Sequence, residues 1–213
     1  MIRILVSRGL GTMGINPYEC TGEQLYAIVY APPINNTSMS LLKGARIAIS
    51  DIPIKSGVLA TVKTCNYLPN VLMKKEAIDK NVDFTISIDE QGFLGEGATE
   101  NIGIVSSDNR LLMPSPKRIL SGTTARRVME LGTKLVSEGL LSDAVFTSIP
   151  KEMIFEAKEV HIYGTGHNIL PIIKVESKTI GDGIPGEIWR QLHQLIYQDM
   201  TPESQMLTPV FNP

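Results

Sequence analysis

The sequence is poor in the features that mark several specialised classes of protein. Its 213 residues include only two cysteines, Cys20 and Cys65, which form neither a CxxC pair nor a cluster with histidine. A structural disulfide and a zinc site are therefore not expected, and the composition is typical of a reduced, cytoplasmic protein. No apolar run reaches transmembrane length, and the first residues lack the charged, apolar and small-residue order of a signal peptide.

An excess of charge of one sign is also absent. The formal net charge of −2 predicts no nucleic-acid partner and no binding to an anionic membrane. Internal repeats and low-complexity tracts are not found either. With 43% hydrophobic and 20% charged residues, the composition is that of a globular protein that buries a core.

The pattern of apolar residues predicts two parts of unequal size. Residues 2–7 and 24–31 are predicted strands that flank a glycine-rich loop, and two strands do not form a stable domain alone. Residues 1–31 are therefore interpreted as the remnant of a larger unit, or as an edge added to another one. Residues 32–41 contain Pro, Asn and Ser and are predicted to be a linker to a second domain at 42–213.

The second part mixes strands, hairpins and helices, which predicts an α+β fold rather than a doubly wound sheet. Apolar or β-branched runs predict strands at 46–50 and 58–62, hairpins at 84–94 and 102–113, and further strands at 144–148, 159–163 and 170–175. Helical periodicity predicts helices at 66–80, 125–141 and 187–198.

Lys63 is predicted to stand where the strand at 58–62 passes into the helix at 66–80. A buried ammonium group is unfavourable unless it is paired, neutralised or used covalently, so this lysine is a candidate reactive amine. The alternative is a lysine whose stem is covered while its amine reaches water. The stretch alone does not separate the two interpretations.

Two further stretches carry groups that suit a reactive amine. Glu96 lies between glycines in the stretch 95–101, where the backbone can approach another group closely, and a carboxylate there is suited to hold a proton on a heterocyclic nitrogen. A turn with solvated acids is the alternative. Residues 121–124, Ser-Gly-Thr-Thr at a predicted helix start, offer N–H groups and hydroxyls to an anion, although N-capping by Thr123 or Thr124 is the commoner use.

A third stretch, Tyr-Gly-Thr-Gly-His at 163–167, follows a predicted strand. It offers a hydroxyl and backbone amides to the same anion, or it forms a plain tight turn. An amine at Lys63, a carboxylate at Glu96, a phenol at Tyr67 and two anion loops together match the functional groups of pyridoxal 5′-phosphate. Each element is ambiguous alone, so the hypothesis depends on their joint presence.

At these residues the sequence resembles the fold-type IV pyridoxal-phosphate enzymes, also called class IV aminotransferases. The similarity follows the family's order along nearly the whole chain and lies in Lys-Thr-Cys-Asn-Tyr at 63–67, Gly-Glu-Gly-Ala-Thr-Glu-Asn at 95–101, Leu-Ser-Gly-Thr-Thr at 120–124, Gly-Thr-Gly at 164–166 and Ile-Gly-Asp-Gly-Ile-Pro-Gly at 180–186. It implies the D-amino-acid aminotransferase-like fold, whose large domain has mixed, barrel-like sheets with flanking helices. It also implies a homodimer whose sites form between subunits.

The resemblance implies roles for individual residues. Lys63 is implied to be the Schiff-base lysine, Glu96 to bind the pyridine nitrogen and Tyr67 to bind the phenolic oxygen of the cofactor. The residues implied to bind the cofactor's phosphate are Thr123, Thr124 and Thr165.

The implied substrates are a small amino acid and a 2-oxo acid. Arg3 and the loop at 8–17 are most similar to branched-chain amino acid aminotransferases, in which an arginine at this position contacts the acidic side chain of the amino donor. The resemblance implies Arg3, Ile15 and Gly166 as substrate-binding residues, with Ile15 reaching the neighbouring subunit's site. Because Gly166 and His167 differ from the small pair usual in that subfamily, a D-amino-acid aminotransferase and an aminodeoxychorismate lyase remain alternatives.

The family's small N-terminal domain is expected to be represented only by residues 1–31. Its phosphate-binding arginine has no counterpart, since Arg8, Arg126 and Arg127 are not at matching positions. The chain is therefore expected to carry the cofactor half of the site, as a fragment, through a misassigned start, or with the remainder on another polypeptide. The alternative to an enzyme is a catalytically silent remnant that binds the cofactor weakly or not at all.

Overall fold

A computed structural model describes residues 1–31, 40–53 and 55–208. The chain divides into two compact units, Met1–Asn36 and Thr37–Pro213. Most of the predicted linker at 32–41 lies outside the described residues, and the domain bounds inferred from the sequence stay a prediction. No helix of the described ranges is long and apolar enough to cross a membrane.

The first unit is a two-stranded antiparallel ribbon. Strand β1 (Ile2–Ser7) pairs with β2 (Gln24–Val29). A short 3-10 turn, Pro17–Glu19, lies in the connecting loop, where the Asn16 side chain accepts a hydrogen bond from the Tyr18 N–H at 3.1 Å. Apolar side chains on both faces of the ribbon are exposed, so this unit has no core of its own, as the sequence predicts.

The second unit contains the remaining elements. Its strands are β3 (Ala45–Ile49), β4 (Phe84–Ile88), β5 (Leu94–Gly97), β6 (Asn101–Val105), β7 (Arg110–Pro114), β8 (Asp143–Thr147), β9 (Glu159–Gly164), β10 (Asn168–Val175) and β11 (Lys178–Thr179). Its helices are α1 (Val58–Thr61), α2 (Leu68–Asp79), α3 (Thr123–Ser137) and α4 (Glu187–Gln198), with a 3-10 turn at Lys151–Phe155.

These strands form one mixed sheet that curls on itself. Their order is β5-β4-β3-β10-β9-β6-β7-β8, with β11 beside β10. Strand β3 runs parallel to β4 and β10, and β7 runs parallel to β8, while the other neighbours are antiparallel. The Leu94 N–H in β5 donates to the Ile149 carbonyl just after β8 at 2.8 Å. The two ends of the strand order therefore meet, and the sheet is barrel-like.

The curled sheet has an apolar layer on each face. The inner layer is made by alternate residues such as Ile47, Ile102 and Ile162, each fully buried. The outer layer lies between the sheet and the helices α3 and α4, whose apolar faces include Val128 and Leu192. Strand alternation sets which residues enter each layer.

The predicted α+β fold with a barrel-like mixed sheet is confirmed. Both predicted hairpins are present, because β4 pairs with β5 and β6 pairs with β7 in antiparallel fashion. The predicted strand at 58–62 is wrong: residues Val58–Thr61 form the short helix α1. Gly57 precedes it with a positive φ of 59°, and Val58 and Leu59 are exposed. That apolar run therefore does not indicate a core strand.

Candidate active site

Three of the predicted site residues line one pocket of the second unit. Lys63 and Tyr67 come from the segment between α1 and α2, and Glu96 comes from β5. The pocket has an empty volume of about 430 Å³, including space that opens to solvent. Lys63 itself is exposed and lies outside any helix or strand. The expectation that it ends a buried strand is therefore wrong, but its position beside Glu96 does not depend on that strand.

Glu96 is fixed by contacts of its backbone and of its carboxylate. The Ser87 hydroxyl donates to the Glu96 carbonyl at 2.7 Å and accepts from the Glu96 N–H at 3.2 Å. This exchange lies where the β4–β5 register shifts between Ile86 and Ile88, so a side chain supplies hydrogen bonds that the ladder does not make there. The Glu96 Oε2 accepts from the Leu120 N–H at 3.0 Å.

Opposing effects act on the ionisation of Glu96. Burial raises the pKa of its carboxyl group above the ordinary value, because desolvation disfavours the charged form. The Leu120 N–H and the ammonium groups of Lys55 and Lys63 favour the charged form and counteract that rise in part. This buried carboxyl group beside two cations is thus the kind of perturbed group that is typical of functional sites.

Asn101 is a site residue that the sequence reasoning missed. Its buried side chain donates from Nδ2 to the Leu120 carbonyl at 2.9 Å. The N–H of Leu120 is therefore bonded to Glu96, and its carbonyl is bonded to Asn101. A side chain on Gly122 would place its Cβ 2.0 Å from the Asn101 Oδ1, so this loop and Asn101 are closely packed.

The fixed loop leads directly into the start of α3. Thr123 and Thr124 are the first two helical residues, and the cap position is taken by Gly122, which makes no side-chain cap. The interpretation of either threonine as an N-cap is therefore wrong. The first N–H groups of a helix have no intrahelical partner, and the helix dipole favours an anion at this end.

Thr165 and Gly166 form the turn between β9 and β10. Asn101 at the start of β6 is paired with Tyr163 near the end of β9, so this turn lies at the same edge of the sheet as the loop before α3. Neither turn residue, and neither Thr123 nor Thr124, lines the pocket that contains Lys63. The structure thus brings the predicted anion-binding residues to one edge without placing them in that pocket.

His167 is the last residue of the same turn, and its side chain is largely buried. Its ring packs on Phe84 with centroids 5.8 Å apart, and its Nε2 is buried without a hydrogen-bond partner among the described residues. Burial lowers the pKa of its imidazole, while the charge of Glu100 opposes this. A side chain at Gly164 would place its Cβ 3.1 Å from the His167 Cε1, so the glycine leaves the space that the ring occupies.

The other two predicted substrate residues belong to the first unit. Arg3 is in β1, with its guanidinium carbon 6.0 Å from the centroid of the Tyr30 ring. Ile15 is in the loop between β1 and β2 and is fully exposed. Their roles stay predictions. Among the residues described, no group of three or more His, Cys, Asp or Glu side chains is placed to hold a metal ion.

Comparison with known proteins gives concordant relatives. The chain is 35% identical over 212 residues to the "D-amino-acid transaminase, chloroplastic" of Arabidopsis thaliana, covering 98% of this chain and 56% of that protein. It is 28% identical over 194 residues to a "putative branched-chain-amino-acid aminotransferase" of Methanocaldococcus jannaschii, covering 91% of this chain and 65% of that protein. The chain therefore spans less than two thirds of the length of these relatives.

Solved structures share the fold. The T.th. branched-chain amino acid aminotransferase with pyridoxamine 5′-phosphate superposes with a TM-score of 0.81 at 22% identity, covering 96% of this chain and 66% of that one. The same enzyme was also solved complexed with 4-methylvaleric acid, with a TM-score of 0.80. The family model for amino-transferase class IV matches residues 1–175. The chain belongs to the class IV aminotransferases.

Proposed function

We propose that this chain is the cofactor-binding part of a pyridoxal 5′-phosphate-dependent aminotransferase that acts on branched-chain or similar amino acids, with 2-oxoglutarate as amino acceptor. The observation that carries the proposal is the single pocket lined by Lys63, Tyr67 and Glu96. Pyridoxal phosphate is the cofactor of this family, and when bound it supplies an aldehyde that reacts with amines and a ring that accepts electrons.

The donor set of the pocket fits that cofactor. Among the residues described, the Lys63 amine and the Tyr67 hydroxyl have no hydrogen-bond partner, and no carboxylate forms an ion pair with Lys63. An amine, a phenol and a carboxylate that line one cavity without hydrogen bonds to each other are available to a bound molecule. The Lys63 amine then has two roles, to attach the cofactor and to remove the proton from the Cα atom of the amino acid.

Glu96 and Tyr67 hold and tune the cofactor ring. The Glu96 carboxylate is oriented by the Leu120 N–H and is suited to keep a proton on the ring nitrogen. A cationic ring nitrogen would add to the stabilisation that the two lysines give to this buried carboxylate. Tyr67 is exposed to about two fifths of its surface, so its hydroxyl is accessible to the cofactor's phenolic oxygen.

The phosphate is assigned to the sheet edge. The uncapped start of α3 offers the N–H groups of its first turn and the hydroxyls of Thr123 and Thr124. Thr165 and the backbone of Gly166 lie at the same edge. Glu96 and Asn101 fix the position of Leu120, which lies three residues before Thr123. The carboxylate proposed to bind the ring nitrogen and the helix start proposed to bind the phosphate are therefore held at a fixed distance from each other.

The test is covalent trapping of the cofactor. The protein is incubated with pyridoxal phosphate, reduced with borohydride, digested and analysed by mass spectrometry. We expect a phosphopyridoxyl group on Lys63, none in Lys63→Met, and an unchanged level in Lys75→Met, whose lysine lies on α2 and pairs with Asp79. A reduced adduct on another lysine, or none, would contradict the proposal.

A D-amino-acid transaminase is the second candidate, because the relative of that name is 35% identical over 212 residues. Glutamate formation from 2-oxoglutarate is measured with L-leucine and, separately, with D-alanine. Turnover of the L-amino acid alone supports the branched-chain assignment, and turnover of the D-amino acid alone supports the second candidate. Pyruvate release from aminodeoxychorismate without a 2-oxo acid would instead identify a lyase.

A further inference from the structure

The end of helix α4 contacts two elements of the proposed phosphate site. These elements are helix α3, which begins at Thr123, and the chain that leaves the turn between β9 and β10. The contacts at this end come from two consecutive residues, Asp199 and Met200, which directly follow the last helical residue of α4. Neither residue has a role in the proposed function.

The first contact is an ion pair with α3. The Arg127 Nε donates to the Asp199 Oδ2 at 2.7 Å, and its Nη2 donates to the Oδ1 at 3.0 Å. Only 30% of the Arg127 side chain and 20% of the Asp199 side chain are exposed. A bidentate pair fixes the relative orientation of its partners as well as their distance. Because Arg127 lies four residues after Thr123, about one helical turn, the pair fixes the first turns of α3 relative to the end of α4.

The second contact is with the residue that follows the β9–β10 turn. Asn168 begins β10 with a positive φ of 59°, and its Nδ2 donates to the Met200 Sδ at 3.7 Å. At the next residue, the Ile169 carbonyl accepts from the indole Nε1 of Trp189 in α4 at 3.3 Å. Sulfur is a weak acceptor, so the indole bond is the stronger of the two. Ile169 is paired with Tyr163 across the base of the turn, and this base is therefore attached to α4.

Helix α4 itself gains nothing from a carboxylate at this end. The C-terminus of a helix carries a partial negative charge, which makes an acid there unfavourable. The backbone N–H of Asp199 closes the helix by donating to the Leu195 carbonyl at 3.2 Å, and this bond does not need the side chain. The favourable partner of the Asp199 carboxylate lies on α3. The link between the helices therefore explains this acid better than capping of α4 does.

We propose that Asp199 and Arg127 are positioning residues for the cofactor's phosphate, because α4 holds the start of α3 and the β9–β10 turn at the separation that one phosphate group requires. This inference rests on the proposed function, which assigns Thr123, Thr124 and Thr165 to the phosphate. Donors on two separate elements bind one anion well only if they are already in place, since ordering them on binding lowers the affinity.

The experiment compares the affinities of pyridoxal phosphate and of pyridoxal, which lacks the phosphate. Both are titrated by calorimetry into the protein and its variants. Asp199→Asn keeps the size of the side chain and removes its charge, and it should weaken pyridoxal phosphate binding about 3- to 30-fold, as for a residue that acts on a site without touching the ligand. Its affinity for pyridoxal should stay within about twofold, because the ring contacts are independent of this ion pair. Asp199→Glu keeps the charge and should recover most of the lost affinity.

Glu130→Gln is the matched control. Glu130 also pairs with Arg127, from whose Nη1 it accepts at 2.8 Å, but it belongs to α3 itself. Its substitution removes one acid from Arg127 and leaves the link to α4 in place, so both affinities should be unchanged. Thermal unfolding of each variant is measured without cofactor, and the titrations are run at a temperature at which every variant is folded.

Three results would overturn the inference. They are an unchanged affinity of Asp199→Asn for pyridoxal phosphate, an equal loss of affinity for pyridoxal and pyridoxal phosphate, and a loss in Glu130→Gln as large as that in Asp199→Asn. The absence of a borohydride-reduced adduct on Lys63 in the starting protein refutes the proposed function instead, so the two failures are distinguishable.

Discussion

The start of helix α4 is stabilised from outside the helix, which makes Glu159→Gln an informative perturbation. Glu159 in β9 accepts from the Ile188 N–H at 2.9 Å and from the Trp189 N–H at 2.8 Å. Its Oε2 also lies 2.9 Å from the Nε2 of the fully buried His161. Gly186 at the cap position offers no side chain, so the strand supplies the cap that the helix lacks.

The expected cost of this substitution follows from those contacts. Losing an N-terminal cap costs about 1 kcal/mol, and leaving a buried donor without its charged acceptor costs about 1–3 kcal/mol. Glu159→Gln should therefore lower the free energy of unfolding by about 2–4 kcal/mol at pH 7. Glu187→Gln is the matched control, because Glu187 is an exposed acid in the first turn of the same helix, and it should cost about 0.5 kcal/mol.

The direction of the pKa shift of Glu159 predicts how the stability loss in Glu159→Gln depends on pH. Burial opposes ionisation of Glu159, but His161 and the two N–H donors lower the net pKa of its carboxyl group below the ordinary value. A group with a lowered pKa in the folded state stabilises the fold above its unfolded pKa, and this contribution is lost as the pH falls through the folded pKa. The difference between Glu159→Gln and the starting protein should be constant near pH 7 and shrink below about pH 4.

The assay is urea unfolding followed by tryptophan fluorescence. Trp189 is the only tryptophan of the chain and donates its backbone N–H to Glu159, so the signal reports on this contact. Urea midpoints and slopes give the free energy at each pH. The reasoning is refuted by an equal deficit at pH 7 and pH 3, or by a cost for Glu187→Gln as large as that for Glu159→Gln.

Three further predictions concern the loop before α3 and the packing of α3 on α4. Gly122→Ala should cost about 1–3 kcal/mol in thermal unfolding, since its Cβ would lie 2.0 Å from the Asn101 Oδ1. The control Gly166→Ala, whose Cβ would have no atom within 4 Å, should cost less than about 0.5 kcal/mol. Similar values for both would contradict the packing argument. Asn101→Ala leaves the Leu120 carbonyl without its donor and should lower the free energy of unfolding by about 1–3 kcal/mol. It should also weaken pyridoxal phosphate binding in a fluorescence titration. Normal affinity would show that the position of the loop does not depend on Asn101. Arg127→Ala removes a bidentate ion pair with Asp199, whose two contacts are 2.7 and 3.0 Å long. It should lower the free energy of unfolding in urea by about 1 kcal/mol, and by less at about 1 M salt. A loss that does not change with salt would argue against the ion pair as its origin.

Local patterns predict those elements in which one face alone is apolar. The helix predicted at 187–198 is observed with the same bounds, because Ile188, Leu192 and Ile196 recur at helical spacing and pack on the sheet. The strand predicted at 58–62 fails for the opposite reason. Of its apolar residues only Ala60 is buried, whereas Val58, Leu59 and Val62 are exposed, so hydrophobicity there does not report burial.

Long-range contacts explain what the sequence does not reveal about the site. Glu96 and Lys63 are predictable because each lies in a short stretch of distinctive composition. Lys55 has no such stretch of its own, and Asn101 ends the stretch 95–101 without any local pattern that indicates its contact with Leu120. Their positions depend on a ring contact with Tyr67 and on a loop 19 residues away along the chain, and only folding brings these groups together. One sequence feature could have identified Asn101. It directly follows the acid-containing stretch 95–100 and is the one polar residue at the start of a strand whose other residues, 102–105, are non-polar.

The Leu120 backbone unites the two halves of the proposed cofactor site. Its N–H is bonded to the Glu96 carboxylate and its carbonyl to the Asn101 amide, while the chain enters α3 three residues later. A shift of the α3 start would therefore stretch both bonds, and a shift of Glu96 would pull on the same peptide. Pre-organised contacts of this kind hold a bound molecule at two points without the entropic cost of ordering them on binding. The carboxylate assigned to the ring nitrogen and the helix start assigned to the phosphate thus act as one rigid element, because both are attached to the same residue.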